Sequence, residues 1–331
     1  MRQGDPPAAD RPNEENDVQD LAGKVAFITG GANGIGFGMV RAFLSEGMKV
    51  VIADWSASNL EKAKAALGGN NAVAFVRANV ADRADLKAAV DEALGVFGKI
   101  HVLCSNAGVN GGGTADDPEF DGWDKAMAVN LGGVINSAKL IVPIIKRQGE
   151  GGHVVNTSSM AGVVPLPGLA AYSTAKYAVR GFSESLRMQL APLGVGVSCL
   201  FPGATRTGML FPPEDQPDQD FHEAEASDFQ QALWDAARAA IDPLDTGRAV
   251  VEAIRENRFY IFTNREFLAE VVARNREMEA AFPEQDPPPG RVRFETLRAD
   301  LTKNLLATGN RAVSSGDAGG FGLDLRTTAI D

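Results

Sequence analysis

The feature that most constrains this chain is a regular alternation, from residue 24 onward, between short apolar runs and longer amphipathic stretches rich in alanine and leucine. Strands that alternate with helices predict a parallel sheet covered by helices on both faces. The near-continuous apolar character of the short runs fits strands buried on both faces. These runs read KVAFITG, KVVIAD, AVAFVRANV, IHVLCSNAG, GGHVVNTSS, VGVSCLFPG and FYIFT. We therefore predict an α/β fold with a doubly wound parallel sheet.

The stretches between these runs predict the helices and the domain organisation. The predicted helices run to about residue 46 and over about 57–67, 82–97, 121–147, 170–191 and 265–281, with one more in TGRAVVEAIREN. Residues 21–282 are thus expected to form a single domain. Within it, residues 208–237 mix apolar anchors with acids and contain no lysine or arginine, which predicts an inserted flap over the substrate, part loop and part helix.

Both ends of the chain predict flexible segments. Residues 1–20 are polar and contain proline, and residues from about 308 are rich in glycine and serine. Neither end can bury enough apolar surface to offset the entropy lost on ordering. We expect an N-terminal tail over 1–20 and a C-terminal extension over 283–331 that is partly disordered.

Composition narrows the classes of partner. The formal net charge of −11 repels phosphodiester backbones and anionic membrane surfaces. The N-terminus has no apolar signal region, and we expect no apolar run near the roughly 20 residues that span a bilayer. These features predict a cytoplasmic protein without a nucleic-acid or membrane partner. The two cysteines lie in apolar strands and the three histidines form no ligand pattern, so we predict free thiols and no metal site.

A glycine-rich turn follows the first predicted strand. The stretch AFITGGANGIGFG places Gly30, Gly34 and Gly36 between that strand and the first helix. Glycines are needed where a pyrophosphate approaches the N–H groups of a helix N-terminus, because a Cβ atom would block it. The turn therefore predicts a dinucleotide site, and the alternative is a tight turn with close helix packing and no ligand.

Two polar residues end the next strands. Asp54 ends the second strand at about the position where an acid accepts a hydrogen bond from the ribose 2′-hydroxyl of NAD. A 2′-phosphate would meet this carboxylate, and neither Asn33 nor Trp55 supplies a neutralising cation, so we predict NAD rather than NADP. Asn79 ends the third strand, where its amide could contact the adenine. The alternatives are a solvated acid for Asp54 and ordinary turn chemistry for Asn79.

Tyr172 and Lys176 lie four residues apart in a predicted helix. Side chains at this spacing are neighbours on one helix face. An ammonium about 4 Å from the phenol, at an effective dielectric near 20, is worth roughly 4 kcal/mol, or about three pKa units. We therefore predict that Lys176 lowers the pKa of Tyr172 and makes it an acid/base group, whereas the alternative is an exposed pair without function.

Other polar residues converge on the same edge of the predicted sheet. Ser158 and Ser159 end the fifth strand, and Asn106, Ala107 and Gly108 follow the fourth. Asn130 lies in a largely apolar helix, where asparagine is normally disfavoured, which predicts a functional role.

Together these motifs resemble the single-domain branch of the short-chain dehydrogenase/reductase family. The matching elements are TGGANGIG, Asp54, SNAG, Asn130, Ser159 with the Y-x-x-x-K of Tyr172 and Lys176, and PGATRT, in the family's order over about residues 21–207. Asn79 stands where an acid is more usual, and the C-terminal region is longer than the family's core. The resemblance implies a Rossmann-type fold, with a flap and a C-terminal extension specific to this chain.

The resemblance also implies roles for individual residues. Tyr172 would be the acid/base, Ser159 would polarise the substrate oxygen, Lys176 would hold the nicotinamide ribose, and Asn130 would order a water of the proton relay. Thr207 would hold the carboxamide, with Pro202 and Gly203 shaping the nicotinamide pocket. The catalytic set is Asn130, Ser159, Tyr172 and Lys176. The cofactor-binding set is Gly30, Asn33, Gly34, Ile35, Gly36, Asp54, Asn79, Val80, Asn106, Ala107, Gly108, Tyr172, Lys176, Pro202, Gly203, Thr205 and Thr207.

The expected reaction is hydride transfer between the nicotinamide C4 of NAD and a secondary carbinol or carbonyl carbon. The expected pocket walls are the loop after Gly108, the flap, and the apolar residues Met160, Val163, Val164, Leu166 and Leu169. They predict a neutral, bulky, hydrophobic alcohol or ketone. Some stretches also resemble bacterial aryl-alcohol Cα-dehydrogenases, and steroid or terpenoid alcohols stay open.

Two other classes of function stay open as alternatives. One is a catalytically idle NAD-binding sensor or scaffold, for which a broken catalytic set would be the signature. The other is an epimerase or dehydratase of the longer branch, which usually has a different glycine spacing and a larger C-terminal domain. We expect a homodimer or homotetramer paired through the Ala/Gly-rich faces of 121–147 and 170–191, although these faces could instead simply pack on the sheet.

Overall fold

The computed structural model describes residues 20–110, 114, 116, 118–209, 235 and 239–307, and it contains a seven-stranded parallel sheet. The strands are β1 (Val25–Thr29), β2 (Lys49–Asp54), β3 (Val73–Arg77), β4 (Val102–Ser105), β5 (Gly152–Thr157), β6 (Val195–Phe201) and β7 (Tyr260–Phe262). Their order across the sheet is β3-β2-β1-β4-β5-β6-β7, and every pairing is parallel. The predicted doubly wound, Rossmann-type α/β fold is therefore confirmed.

All helices except the last lie close to their predicted positions. They are α1 (Gly34–Ser45), α2 (Ala57–Leu67), α3 (Arg83–Phe97), α4 (Asp121–Ala126), α5 (Gly133–Gln148), α6 (Ala170–Leu190), α7 (Pro243–Arg255), α8 (Leu268–Ala280) and α9 (Pro289–Ala307). Four of them begin after a residue whose side chain accepts from the first turn: α1 after Asn33, α2 after Ser56, α3 after Asp82 and α7 after Asp242. These caps satisfy N–H groups that a helix cannot satisfy internally, which explains why the helices begin there.

The strands are apolar on both faces because each face is covered by helices. Phe27, Leu103 and Val154 belong to one apolar cluster, which includes buried residues of α3, α5 and α6. Ile28, Val102 and their neighbours belong to a second cluster, which includes buried residues of α1, α2 and α7. Successive strand residues thus alternate between two cores, and no face of the sheet is left for a polar pattern.

Helices α1 and α7 cross at unusually close range because glycines meet there. A Cβ atom on Gly38 would lie 2.0 Å from the Pro243 carbonyl oxygen, and one on Gly247 would lie 2.4 Å from the Gly38 oxygen. A side chain does not fit at either position, and this contact packs α1, the helix that follows the glycine turn, directly against α7.

The helix predicted over 121–147 is continuous but not uniform. A six-residue π-helical segment, Met127–Gly132, lies between α4 and α5 and contains Asn130. By length and composition Asp121–Gln148 could also cross a membrane, so the expectation that no apolar run approaches that length is wrong. Half of its most apolar stretch is buried within the protein, and Ile141 and Ile145 pack in the core of the sheet. Core packing accounts for its composition.

The C-terminal region contains a helix that the sequence did not predict. Helix α9 lies within the extension that we expected to be partly disordered, and neither α8 nor α9 contains a buried residue. Most of the predicted flap, the predicted N-terminal tail and residues 308–331 lie outside the described residues.

Candidate active site

The predicted site residues lie where the strands end, at the carboxyl edge of the sheet. The glycine turn follows β1, Asp54 ends β2, and Ser159 follows β5. Tyr172 and Lys176 lie on the first turns of α6. The remaining predicted cofactor residues follow β3, β4 and β6; they are Asn79, Val80, Asn106, Ala107, Gly108, Pro202, Gly203, Thr205 and Thr207. Ligands of open α/β sheets bind at this edge, so the topology brings the predicted residues together.

The glycine turn is too tight for side chains. Gly30 has φ +62°, and a Cβ atom there would lie 2.9 Å from Ala107 Cα. A Cβ atom on Gly36 would lie 2.1 Å from the Gly30 oxygen. At Gly34, φ is +52° and a Cβ atom would meet Thr207 at 3.0 Å, so the loop after β6 reaches the start of α1.

The N-terminus of α1 has the features of an anion site. Asn33 caps the helix, and its Oδ1 accepts from the Gly34 N–H at 2.7 Å. The N–H groups of Ile35 and Gly36 have no acceptor within the part of the chain that the structure describes. Such unsatisfied N–H groups and the helix dipole favour a phosphate. The turn therefore fits the pyrophosphate of a dinucleotide.

Asp54 joins the second strand to this turn. Its carboxylate is almost fully buried, with Oδ2 accepting from the Ala32 N–H at 3.2 Å and Oδ1 from the Ser56 N–H at 3.0 Å. The alternative of a solvated strand-end acid is therefore wrong. Each oxygen retains acceptor capacity, so the carboxylate can hold the turn and still accept from a ribose hydroxyl.

Thr29 organises the loop after β4, a role that the sequence analysis did not assign. Its Oγ1 accepts from the N–H groups of Asn106 at 2.9 Å and Ala107 at 3.1 Å. The Asn106 side-chain amide donates in return to the Thr29 carbonyl at 3.2 Å. The glycine turn and the SNAG segment are therefore one hydrogen-bonded unit.

The predicted catalytic residues on α6 and after β5 lie close together. Lys176 is buried, and its Nζ donates to the Thr157 carbonyl at 3.0 Å and lies 5.6 Å from the centre of the Tyr172 ring. The Ser159 side chain lies close enough to the Tyr172 hydroxyl to favour the ionised form of the phenol. The alternative of an exposed Tyr/Lys pair is wrong for the lysine, because this ammonium has lost its contact with solvent.

Burial controls the proton affinities of this pair. It raises the pKa of Tyr172, and the hydrogen bond from Ser159 acts in the opposite direction. Burial also lowers the pKa of Lys176 from 10.5 to about 8. The predicted fall in the pKa of Tyr172 caused by Lys176 is therefore wrong, because loss of solvent outweighs the favourable interactions of the phenolate.

The segment that carries Ser159 is fastened to α6 by four contacts. The Ser158 hydroxyl donates to the Lys176 carbonyl at 2.8 Å, and the Tyr177 hydroxyl donates to the Val163 carbonyl. The Leu166 N–H donates to the Ser173 hydroxyl at 3.3 Å. Gly162 packs so closely that a Cβ atom would lie 2.7 Å from the Lys176 oxygen. These contacts fix the position of Ser159 relative to Tyr172.

Asn130 holds the loop that follows the SNAG segment. Its Oδ1 accepts from the Val109 N–H at 2.9 Å, and its Nδ2 donates to the Val109 carbonyl at 3.1 Å. The buried asparagine therefore has a structural reason to be there. The water-ordering role that the resemblance implies stays a prediction, because both ends of the side-chain amide bind Val109.

The loop after β6 approaches the same site. The Gly203 N–H donates to Asn264 Oδ1 at 3.0 Å, and the Thr205 hydroxyl donates to the Gly203 carbonyl at 3.3 Å. Thr205 is buried and Thr207 lies beside Gly34. These contacts fix the loop next to the turn, whereas the expected contact of Thr207 with a carboxamide stays a prediction.

The residues of the predicted apolar pocket wall differ in exposure. Met160 and Val164 are almost fully buried, and Met160 belongs to the apolar cluster that includes α3, α5 and α6. Val163 and Leu169 are half-buried and Leu166 is exposed, so these three are available to a substrate. The rest of the expected wall, in the flap, lies outside the described residues.

Comparison with known proteins supports this geometry. Residues 24–217 match the short chain dehydrogenase family. A 3-alpha-(or 20-beta)-hydroxysteroid dehydrogenase of Mycobacterium tuberculosis is 34% identical over 251 residues, which cover 76% of this chain and 89% of that protein. A C alpha-dehydrogenase of a Sphingobium species is 33% identical over 291 residues, which cover 85% of this chain and 94% of that protein. A short-chain dehydrogenase/reductase of Burkholderia phymatum, solved in complex with NAD, superposes with a TM-score of 0.70 at 34% identity. The match covers 81% of this chain and 99% of that protein.

The fold and the site are those of an oxidoreductase that uses a nicotinamide cofactor. This chain belongs to the short-chain dehydrogenase family.

Proposed function

We propose that this protein is an NAD-dependent dehydrogenase or reductase that acts on a neutral, bulky, hydrophobic secondary alcohol or ketone. The observation that carries the proposal is that Ser159 lies beside the Tyr172 hydroxyl, next to the buried ammonium of Lys176, at the edge of the sheet where the glycine turn lies. When bound, the cofactor supplies or accepts the hydride.

The residues of this chain handle the proton and the substrate oxygen. Tyr172 takes the hydroxyl proton during oxidation and returns it during reduction, and Ser159 donates to the substrate oxygen. Lys176 is anchored by the Thr157 carbonyl and is placed to hold the ribose of the nicotinamide half. Because the catalytic set is complete, we favour an enzyme over an idle sensor or scaffold.

Asp54 supports NAD over NADP. A 2′-phosphate at the adenosine ribose would lie against the buried carboxylate of Asp54, and bringing two negative charges together out of water is costly. The carboxylate already accepts from Ala32 and Ser56, which holds it in place for a ribose hydroxyl.

An aryl-substituted alcohol is the first substrate class to test. The available wall residues, Val163, Leu166 and Leu169, are apolar and carry no charge for a phosphate or a carboxylate. The C alpha-dehydrogenase covers more of this chain than the hydroxysteroid dehydrogenase does. Steroid alcohols are the second candidate because a hydroxysteroid dehydrogenase is equally close in identity.

The test is a spectrophotometric assay of reduced cofactor with NAD or NADP and a panel of aryl, steroid and aliphatic secondary alcohols. We expect turnover with NAD and an aryl alcohol, and a loss of about a thousandfold or more in Tyr172→Phe with NADH binding retained. Tyr260→Phe is the matched control, because it removes a phenol hydroxyl that bonds to Glu184 and to no predicted site residue. Full activity of Tyr172→Phe would overturn the mechanism.

We also propose that the enzyme works in the cytoplasm as a homodimer or homotetramer. The support for assembly is that the apolar residues Leu140 and Ile144, one turn apart on α5, stay partly exposed. Apolar surface on one helix face is typical of a two-fold interface.

A further inference from the structure

Trp55 stands out among the aromatic side chains because it follows Asp54 directly and yet is 66% exposed. An indole gains stability mainly by burial, so this position costs the protein the favourable burial of a large ring. It lies at the carboxyl end of β2, beside the carboxylate that we assign to the adenosine ribose. An exposed ring at this edge of the sheet is available for a ligand to stack on it.

A residue from the neighbouring strand holds this ring. Arg77 is paired with Asp54 across β2 and β3, and its Nε donates to the Trp55 carbonyl at 3.2 Å. Its guanidinium carbon lies 5.9 Å from the centre of the indole ring. The cation covers one face of the indole, and the exposure of the ring leaves the other face free.

A cavity of about 360 Å³ lies at the same edge and is lined by Trp55, Arg77, Asn79, Asp82 and Asp85. Its size is sufficient for a nucleobase. Two of its carboxylates are held as acceptors, since Asp82 caps α3 and Asp85 Oδ2 accepts from the Asn79 N–H at 2.6 Å. Two carboxylates around one guanidinium disfavour a phosphate, whereas a planar base with an amino donor suits an aromatic wall and carboxylate acceptors.

We propose that Trp55, held in place by Arg77, is the stacking platform for the adenine of the cofactor and a major determinant of its affinity. This inference rests on the proposed function, because it concerns the adenosine end of the same dinucleotide site. From the sequence, only Asn79 is expected to contact the adenine, and Trp55 is only a residue without positive charge. Arg77 could not be placed beside it because it is 22 residues further along the chain.

The test measures binding rather than turnover. Dissociation constants of AMP, NADH and reduced nicotinamide mononucleotide are determined by calorimetry for the wild type, Trp55→Ala, Trp55→Phe and Arg77→Gln. If the adenine stacks on the indole, Trp55→Ala should raise the dissociation constants of AMP and NADH by the same factor, about tenfold or more. Trp55→Phe should retain most of the affinity, Arg77→Gln should lose part of it, and the mononucleotide should be unaffected.

The matched control is Phe282→Ala, which removes an aromatic ring that is 76% exposed in the segment between α8 and α9. It should bind AMP and NADH as the wild type does. The stacking proposal is overturned if Trp55→Ala binds AMP as tightly as the wild type, or if it lowers the affinity for NADH but not for AMP. It is also overturned if NADPH binds more tightly than NADH and Arg77→Gln abolishes that preference, because Arg77 is then a phosphate ligand.

The two proposals fail in different ways. A wild-type protein that binds AMP through Trp55 but oxidises no alcohol and reduces no ketone overturns the proposed function and supports the platform. A protein that is active, and whose Trp55→Ala variant binds AMP normally, overturns the platform alone.

Discussion

Lys176 combines a functional position with a cost in stability. Its ammonium is buried, and its only hydrogen bond among the described residues is to the Thr157 carbonyl. The fall in its pKa from 10.5 to about 8 means that the charged form is destabilised on folding by about 3 kcal/mol. Groups that are costly to bury usually persist where they are used, which agrees with the role that we propose.

We predict that Lys176→Met abolishes activity and yet raises the melting temperature at pH 7. The substitution removes the cost of burying the ammonium and loses one hydrogen bond, worth about 1 kcal/mol. Calorimetry of both proteins from pH 7 to pH 10.5 measures the effect. Below pH 8 the folded protein bears the full cost. Between the folded and unfolded pKa values the unfolded chain binds more protons, so wild-type stability rises with pH.

The advantage of Lys176→Met should therefore shrink as the pH approaches 10.5. Lys139→Met is the control, because Lys139 is exposed on α5 and its loss should change stability little at any pH. A difference in melting temperature that is the same at pH 7 and pH 10.5 would show that Lys176 is not destabilised by burial.

Ser159 gives a second prediction for a single residue. Burial raises the pKa of Tyr172 and the Ser159 hydrogen bond opposes that rise. We predict that Ser159→Ala lowers the oxidation rate about a hundredfold and moves the rising limb of its pH profile to higher pH. Ser159→Thr keeps the hydroxyl, so both the rate and the pH of the rising limb should be close to those of the wild type. A limb that moves to lower pH in Ser159→Ala would contradict this assignment.

Among the secondary-structure elements, the contact between α1 and α7 is the most sensitive to a small change. We predict that Gly38→Ala destabilises the protein by about 1–3 kcal/mol, because the new methyl group overlaps the Pro243 carbonyl. Gly181→Ala is the matched control within α6, since a Cβ atom there meets nothing within 4 Å. The free energy of unfolding of Gly181→Ala should rise by up to about 1 kcal/mol, because alanine has a higher helix propensity than glycine. Urea unfolding distinguishes the two, and equal midpoints would refute the close approach.

The alternation of strands and helices was sufficient to predict the elements up to α8, because hydrophobic period and turn residues are local properties. Helix α9 was missed because the prolines of 283–288 and its lack of an apolar face resemble a linker. The site was predicted in outline, since TGGANGIG and the Tyr172–Lys176 spacing are also local. Three features could be found only from the three-dimensional fold. They are the burial that raises the pKa of Tyr172, the two hydrogen bonds between Asn130 and Val109, and the contact of Arg77 with Trp55.

Among the described residues, one protomer leaves apolar surface exposed. Besides the face of α5, helices α8 and α9 bury no residue completely and expose large apolar side chains such as Leu268, Met278 and Leu297. We predict that sedimentation equilibrium gives two or four times the chain mass of 34.9 kDa. A mass of one chain at micromolar concentration would contradict the proposed assembly.

The pairing of α1 with α7 has a consequence for how the protein is made. Arg255 of α7 forms an ion pair with Glu46, 209 residues earlier in the chain. A ribosome adding about 5–20 residues per second needs roughly 10–40 s to cover that distance. Until then, the helix that begins at the glycine turn lacks the partner that packs against Gly38. During synthesis the cofactor site is therefore encoded early and completed late, so a truncated nascent chain should bind the dinucleotide poorly even though it already contains every glycine of the turn.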